Sequence, residues 1–545
     1  MKNNYFFIIV FILAMGTAFS QQTIGLFKNS VDSYNGYTLF GSQKSTDTYL
    51  INNCGEKVHS WTSQFFPRFS YYLLENSVLL RTGSISANKA VVEMIDWDNN
   101  LIWDYSIDST FGTQHHDIAY LPNGNILFIV YDDVLKSDVE AAGSSTLKDA
   151  IKSEQIIEVQ PDLINGGGTV VWRWRAWDHI IQDADSTKPN FGIVSDHPEK
   201  INVNYLAHTA FDWLHFNSID YNYNLDQILV SVPNFDEFWI IDHSTTTAEA
   251  ASSSEGNSGK GGDLLYRWGN PLTYAQGTVN DKKLFYQHNV HWIESGLDDE
   301  GKIMVFNNRA GIPDGRNYST VNIIDPPVDS NGSYSYSGNA FGPTSFDWTY
   351  KAPIDTSFFS NIVSSAQRLP NGNTLVCQGE IGRFFEINSD SIVWEYVNPD
   401  QGSGPATQGD SIFGNKTFRC LRYPIDYPGF DSKILTSQGY IESGSNFTCE
   451  LFTVGLSAIV ESRYEISIYP NPTQDKVIVS RTSFLEELID ISMYDLNGKR
   501  VLSSSIKTGE RTLTIDLFGI SEGFYFLSFR DKNSTWKEPL IIKEY

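Results

Sequence analysis

One five-residue string occurs twice in this chain, as Leu121-Pro-Asn-Gly-Asn125 and as Leu369-Pro-Asn-Gly-Asn373. Each copy sits inside a strand-like stretch, Asp117 to Val130 and Ser365 to Cys377. Asn-Gly marks the tip of a tight hairpin, where the backbone enters the left-handed region that glycine adopts freely. Leu73-Leu-Glu-Asn-Ser77, followed by Val78-Leu-Leu80, reads as a decayed third copy. A hairpin that recurs at long period confines the chain to a fold of repeated units. A second element recurs with it, an aromatic strand seen in Val58-His-Ser-Trp61, Ile102-Trp-Asp-Tyr105, Val171-Trp-Arg-Trp174, Leu265-Tyr-Arg-Trp268, Phe346-Asp-Trp-Thr-Tyr350 and Val393-Trp-Glu-Tyr396. Propeller blades recur at about 40 to 50 residues, which fits both ends of the series if the middle blades carry long loops. Helical periodicity is nearly absent. A β-sandwich array would not repeat one hairpin and one Trp strand in the same order, so the expectation is an all-β six-bladed propeller.

The 545 residues, 41% hydrophobic and 19% charged, are enough to bury a large core. Lys+Arg 39 against Asp+Glu 65 leaves a formal charge of −26, which repels nucleic acid and anionic membranes, so no nucleic-acid partner is expected. Lys2, the apolar stretch Tyr5 to Met15 and the small-residue exit Ala18-Phe-Ser20 read as a cleavable export signal, residues 1–20. No later segment reads as a membrane span. Outside the cytoplasm Cys54, Cys377, Cys420 and Cys449 can form disulfides; three full pairings stay open, with buried free thiols as the alternative. Past about Leu456 the texture changes to a small β-sandwich with strands Lys476 to Val479, Ile489 to Leu496 and Phe524 to Phe529 and a turn at Asn497-Gly498. The expected domains are the propeller at 21–455, a linker at 456–463 and the C-terminal domain at 464–545.

In a propeller the innermost strand of each blade lines the axis, so residues at its entry end converge on one funnel. His115-His116-Asp117, His215-Phe-Asn217 and His288-Asn-Val-His291 hold the same station in successive repeats. With only ten histidines in the chain, that coincidence points to a site built from His116, His215 and His288. His59, His208, His243 and His291 are assigned structural roles. Zinc or copper is the rival reading, because imidazole suits both metals, but no His-Glu-x-x-His or paired-cysteine motif supports it and it leaves Asn217 idle. No Gly-x-Ser-x-Gly elbow stands between a strand and a helix, and no phosphate-cradling glycine loop opens a helix, so neither serine hydrolysis nor a nucleotide cofactor is expected. Asp96-Trp-Asp-Asn-Asn100 reads as a strand-joining turn and Ser252 to Gly262 and Gly402 to Gly409 as loops. Trp213, Phe285, Tyr286 and Trp292 read as core or as platforms for an aromatic ring.

Gly36-Tyr-Thr-Leu-Phe40, Thr48-Tyr-Leu-Ile51, His115-His-Asp-Ile118, Asp212-Trp-Leu-His-Phe-Asn-Ser218, Gln287-His288 and Ser365-Ala-Gln-Arg-Leu-Pro-Asn-Gly-Asn373 resemble the bacterial arylsulfate sulfotransferase family, from roughly Gly36 to Asp431. The resemblance implies a six-bladed propeller that moves a sulfuryl group from a phenolic sulfate ester to a phenolic acceptor without a nucleotide donor. It implies His288 as the transient sulfuryl carrier, His116, His215 and Asn217 as sulfate-holding positions, and His115 as a substitute for His116. One position departs: in Val230-Ser-Val-Pro-Asn234, Pro233 stands where the family has arginine, and Arg309 in Asn307-Asn-Arg-Ala310 is the expected replacement. A non-catalytic binding propeller is the rival reading from another class. Tyr469-Pro-Asn-Pro-Thr473, Tyr494-Asp-Leu-Asn-Gly498 and Glu522-Gly-Phe-Tyr525 resemble the C-terminal sorting domain of the type IX secretion system. That implies recognition by this machinery, followed by release or attachment at the cell surface.

Overall fold

The computed structural model describes residues 22–543, apart from 108–109, 207–210, 390, 446, 448, 452–465, 472, 482–488, 495–499, 509 and 531–534. The export signal at 1–20, His208, the linker at 456–463 and the Asn497-Gly498 turn lie outside the described residues. The chain divides into two compact units, Met1–Phe452 and Thr453–Tyr545.

The first unit is a six-bladed propeller, each blade an antiparallel sheet with four strands in sequential order. Blade two runs Phe66–Leu73, Leu79–Ser86, Lys89–Ile95 and Leu101–Tyr105, and blade three runs Gln114–Tyr120, Ile126–Leu135, Ala150–Pro161 and Gly168–Arg175. Blade four runs Ser218–Asn222, Gln227–Val232, Glu237–Asp242 and Tyr266–Trp268, and blade five His288–Trp292, Ile303–Asn307, Thr320–Ile324 and Trp348–Tyr350. Blade six runs Ser365–Arg368, Thr374–Gln378, Arg383–Ile387 and Ile392–Val397, with Gly25–Asn29 added at its outer edge. Blade one is composite: its innermost strand, Cys420–Pro424, comes from the far end of the unit, while Gly36–Gly41, Asp47–Ile51 and Lys57–Thr62 come from the near end. Both ends of the unit are thereby held in sheets.

The repeated hairpin and the repeated tryptophan have separate tasks. In the hairpin, Leu121 N–H donates to Asn125 O and Gly124 N–H to Leu121 O, with Gly124 at φ 87°; Leu369, Asn373 and Gly372 repeat this, Gly372 at φ 82°. The decayed copy keeps the turn as Leu74 to Val78, where Ser77 takes the left-handed position at φ 68°. Asp96 to Asn100 is likewise a strand-joining turn, closed by Asp96 N–H on Asn100 O. The aromatic strands are the fourth strands of all six blades. In five of them the indole N–H donates to the loop between the third and fourth strands of the next blade: Trp61 to Asp96 O, Trp103 to Gly167 O, Trp174 to Gly262 O, Trp268 to Pro343 O and Trp394 to Asn53 O. Trp348 instead lies beneath the Arg368 guanidinium.

At the axis the innermost strands are joined in a closed ring. Ser70 Oγ donates to His116 O, Ile219 N–H to Asp117 Oδ2, Val290 N–H to Ser218 Oγ, Ala366 N–H to Asn289 Oδ1, Cys420 N–H to Ser365 Oγ and Leu73 N–H to the Tyr423 hydroxyl. Inside the ring Arg419 Nη2 donates to Asp117 Oδ2 at 2.7 Å, and the Tyr72 hydroxyl donates to Asp117 Oδ1 at 2.7 Å. Burial opposes the Arg419 charge, yet the Asp117 carboxylate holds its basicity above the ordinary value. Cys54 is bonded to Cys449, while Cys377 and Cys420 are buried free thiols.

The second unit packs a three-stranded sheet (Ile466–Tyr469, Lys476–Arg481, Thr512–Asp516) and a four-stranded sheet (Arg500–Ile506, Ile489–Tyr494, Gly523–Arg530, Thr535–Ile542) over one apolar core. Ile489, Ile491 and Met493 face inward and Asp490 outward, the period-two pattern of a half-buried strand.

Two measurements test this account. Trp394→Phe keeps an aromatic side chain but removes the donor to Asn53 O together with part of the buried ring, and chemical denaturation should show a loss of at least about 1–3 kcal/mol; an unchanged midpoint would show that the indole does not hold this seam. Asp117→Ala leaves the buried Arg419 charge unpaired and should cost about 3–5 kcal/mol in the same measurement.

Candidate active site

The inner strands are irregular where they enter the funnel. Register slips occur between Pro67 and Tyr71 in blade two, opposite the Gln114 to Ile118 segment in blade three, and between His288 and His291 in blade five. A bulge places an extra residue on one strand and re-aims its side chain. His116, His215, Tyr286, Asn289, Val363 and Ser364 all have positive φ, from 50° to 89°. For Val363 that conformation is a true outlier, and such strain gathers at functional sites.

His288 is 3% exposed and held at both nitrogens. Asn308 Nδ2 donates to Ser360 O and Val363 O, so its Oδ1 is left to accept from His288 Nδ1–H at 2.8 Å. The proton is thereby fixed on Nδ1. Nε2 carries the lone pair and accepts from Val363 N–H at 3.2 Å. Burial, with smaller effects of His215 and Arg309, lowers the His288 pKa to about 3, so the ring is neutral at physiological pH.

The other imidazoles cluster beside it. His116 and His215 rings are 4.7 Å apart at 75°, and His115 lies 6.5 Å from His215. Tyr286 spans the gap, 5.9 Å from His288 and 6.4 Å from His215. Phe69 stacks on His116 at 4.5 Å, and Tyr131 stacks on His115 at 3.7 Å. Asp212 Oδ2 accepts from His215 Nδ1 at 2.5 Å. Behind them His115 Nδ1 is 2.7 Å from His116 Nδ1, and His115 Nε2 is 2.9 Å from Glu154 Oε2. Burial, with His215 next in order, drives the pKa of both His115 and His116 well below the ordinary value. Burial and the Asp212 charge push the Glu154 carboxyl well above its own.

Asn217 is fully buried, its Nδ2 donating to Gln287 O at 2.8 Å, which ties blade four to the residue before His288. Its Oδ1 is buried without a protein partner. Pro233 follows the second strand of blade four, and Arg309 follows the second strand of blade five, the same station one blade on. The Arg309 guanidinium lies 3.8 Å over the Tyr286 ring, with Nε donating to Asn361 Oδ1 at 3.0 Å. Its charge acts on His288. Arg68, in the irregular part of blade two, donates to the carbonyls of Ser86 and Ala87, keeps a buried Nε without a partner, and acts on both His115 and His116. Of the aromatics singled out earlier, Tyr286 lies among the imidazoles, whereas Trp213 is fully buried in the core.

Arg68, Glu154 and Asn308 are absent from the sequence-derived set. Asn308 lies beside Arg309 in the Asn-Asn-Arg run and was within reach, whereas Glu154 sits mid-strand with no motif around it. His291 and His59 are half-buried, with pKa values lowered to about 4 by desolvation, and His243 donates to Asp226 and Glu158 away from the funnel. Among the described residues no group of three or more His, Cys, Asp or Glu side chains is arranged to hold a metal ion, and no helix is long and apolar enough to cross a membrane.

Comparison with known proteins places this geometry. No curated protein matches the chain. Solved structures with weak similarity include a putative 6-phosphogluconolactonase from Bacteroides fragilis (11% identity, TM-score 0.36, covering 72% of this chain and 99% of that one). Others are a periplasmic gluconolactonase from Pseudomonas aeruginosa (10% identity, TM-score 0.34, covering 66% and 96%) and apo AztD from Citrobacter koseri (10% identity, TM-score 0.29, covering 89% and 99%). Residues 467–543 match the secretion system C-terminal sorting domain, which indicates export and a secreted or surface location. Residues 83–406 match the family described as Arylsulfotransferase (ASST), more than half of the chain, from the middle of blade two through the fourth strand of blade six, and on that match this protein belongs to the arylsulfotransferase family.

Proposed function

We propose that this propeller transfers a sulfuryl group from a phenolic sulfate ester to a phenolic acceptor, through a transient sulfohistidine on His288 and without a nucleotide donor. Family membership supports aryl sulfotransferase activity in general. The observation that carries the finer reading is the Asn308 contact, which fixes the proton on Nδ1 of His288 and leaves Nε2 with a lone pair, in a funnel where His215 and His116 interact with the same ring. A neutral imidazole is a competent nucleophile, and a covalent intermediate lets the first phenol leave before the second arrives.

In the first half-reaction the donor sulfate takes the place of Val363 N–H at Nε2. The N–S bond forms as the bond between sulfur and the phenolic oxygen breaks, and the phenoxide takes up a proton. In the second half-reaction the acceptor phenol loses its proton and its oxygen displaces Nε2 from sulfur. By analogy with phosphoryl transfer the transition state is loose, with charge spread over the equatorial oxygens, so catalysis is mainly the placing of donors and cations. His116 and His215 pack on each other within electrostatic reach of His288, and Asn217 holds the chain entering His288. Arg309 and Arg68 supply positive charge on either side, which compensates for Pro233. The low basicity of His288 makes Nε2 a good leaving group in the second step, so the carrier does not trap the sulfuryl group. The overall charge of −26 acts weakly here, since screening limits it to about 8 Å in physiological salt.

Quenching the protein during turnover of an aromatic sulfate and mapping it by mass spectrometry should place a sulfo adduct on His288. His288→Asn should abolish the adduct and lower turnover by ~10³-fold or more. Binding of aromatic sulfates by the unaltered protein with no adduct and no turnover would instead favour the non-catalytic binding propeller. Arg309→Ala should reduce kcat/KM by ~10²-fold, the scale of losing one anion-stabilising group; a change under about threefold would remove it from the site.

A further inference from the structure

Ping-pong sulfuryl transfer has a proton requirement that the nucleophile does not meet. The departing phenoxide needs a proton in the first half-reaction, and the acceptor phenol must lose one in the second. His116 packs on His215, lies within electrostatic reach of His288 and is neutral, so giving up its only ring proton unaided would leave an imidazolate.

The chain behind His116 resolves this. Glu154 Oε2, His115 Nε2, His115 Nδ1 and His116 Nδ1 form two successive contacts of 2.9 and 2.7 Å. Glu154, His115 and His116 are 0%, 1% and 8% exposed. Phe216 N–H donates to Glu154 Oε1 at 3.0 Å, which leaves Oε2 for His115. A contact between two Nδ1 atoms requires one to donate and the other to accept, so the chain has two self-consistent states. With the proton on Glu154 Oε2, His115 accepts at Nε2 and donates from Nδ1, and His116 carries its proton on Nε2. With Glu154 ionised, every donor reverses and His116 Nε2 is bare.

We propose that Glu154 is the proton store of the transfer reaction, exchanging one proton with the phenolic oxygen of each substrate through His115 and His116. The proposal rests on the sulfuryl-transfer reading above. In the first half-reaction His116 Nε2–H goes to the phenoxide, His115 Nδ1–H moves to His116 Nδ1, and the Glu154 proton moves to His115 Nε2, leaving a carboxylate. In the second, the acceptor O–H goes to His116 Nε2 and each proton shifts back, restoring the acid. No net proton is gained or lost. Glu154 touches no substrate; it is a positioning residue that sets which nitrogen of His116 carries the proton. Its surroundings favour the protonated resting state. Burial, Asp212 and Asp132 all raise its pKa, against Lys152 and the Phe216 hydrogen bond. Both histidines are held neutral by burial, by His215 and by Arg68, with Lys152 acting on His115 and His115 and His288 on His116.

Glu154→Gln tests it. The amide can donate to His115 Nε2 and accept from Phe216 N–H, so the resting arrangement is kept while the proton cannot leave. Phenol release in the first half-reaction, the pre-steady-state burst before any acceptor is added, is measured with nitrophenyl sulfate, whose leaving group needs little protonation, and with phenyl sulfate, whose leaving group needs it. The variant should keep the burst rate with nitrophenyl sulfate within a few-fold and lose that with phenyl sulfate by ~10²-fold. Equal losses on both substrates, or no loss, would overturn the relay. Should the variant fold poorly, the unaltered protein still decides: the rate with phenyl sulfate in mixed light and heavy water should give a bowed proton inventory, and a straight line overturns the proposal. Turnover of neither sulfate by the unaltered protein would overturn the sulfuryl-transfer reading itself, and the relay with it.

Discussion

Each blade buries apolar surface only by lying against its neighbours, so the fold depends on holding consecutive blades in one angular relation until the ring closes. The indole latch performs this. A tryptophan on the outermost strand is large enough to fill the wedge between blades, and its single N–H must find an acceptor when buried. The acceptor in five cases is a carbonyl in the next blade's last hairpin. The contact from Trp394 to Asn53 O is the one that spans the two ends of the unit, and the disulfide from the neighbouring Cys54 to Cys449 reinforces the same seam.

With the outside held, the inner strands are free to depart from regular geometry at one end. Bulges and left-handed residues gather there, and the strain they carry is sustained by the closed ring of hydrogen bonds and by the Arg419–Asp117 pair beneath. Several imidazoles thereby crowd into a small volume. They tolerate this because burial keeps His115, His116 and His288 uncharged, so each presents one donor and one acceptor in place of a mutually repelling charge.

The anion site proposed for this chain of charge −26 needs local cations, and the two candidates come from places that alignment by motif does not reach. Arg309 stands one blade further round than the position Pro233 occupies, and Arg68 comes from the irregular stretch of blade two. Equivalent stations on a ring all point to the same axis, so a charge lost from one blade can be replaced from another with little change in the field at the centre.

The hairpin strings, the Trp strands and the histidine stations were legible in the residues because each records a local requirement: a left-handed turn position, an indole of fixed size, a side chain at the start of an inner strand. The small C-terminal sandwich was legible for the same reason, through period-two alternation. Asn308, Glu154 and Arg68 were not, because a buried carboxyl or amide carries no mark of its partner until strands distant in sequence are brought together. The pairing of Cys54 with Cys449, left open among three possibilities, was likewise decided by ring closure, which brings residues 395 positions apart into contact. Local chemistry is written along the chain, whereas which groups share a proton, a charge or a bond across the funnel is set only when the sheets close around the axis.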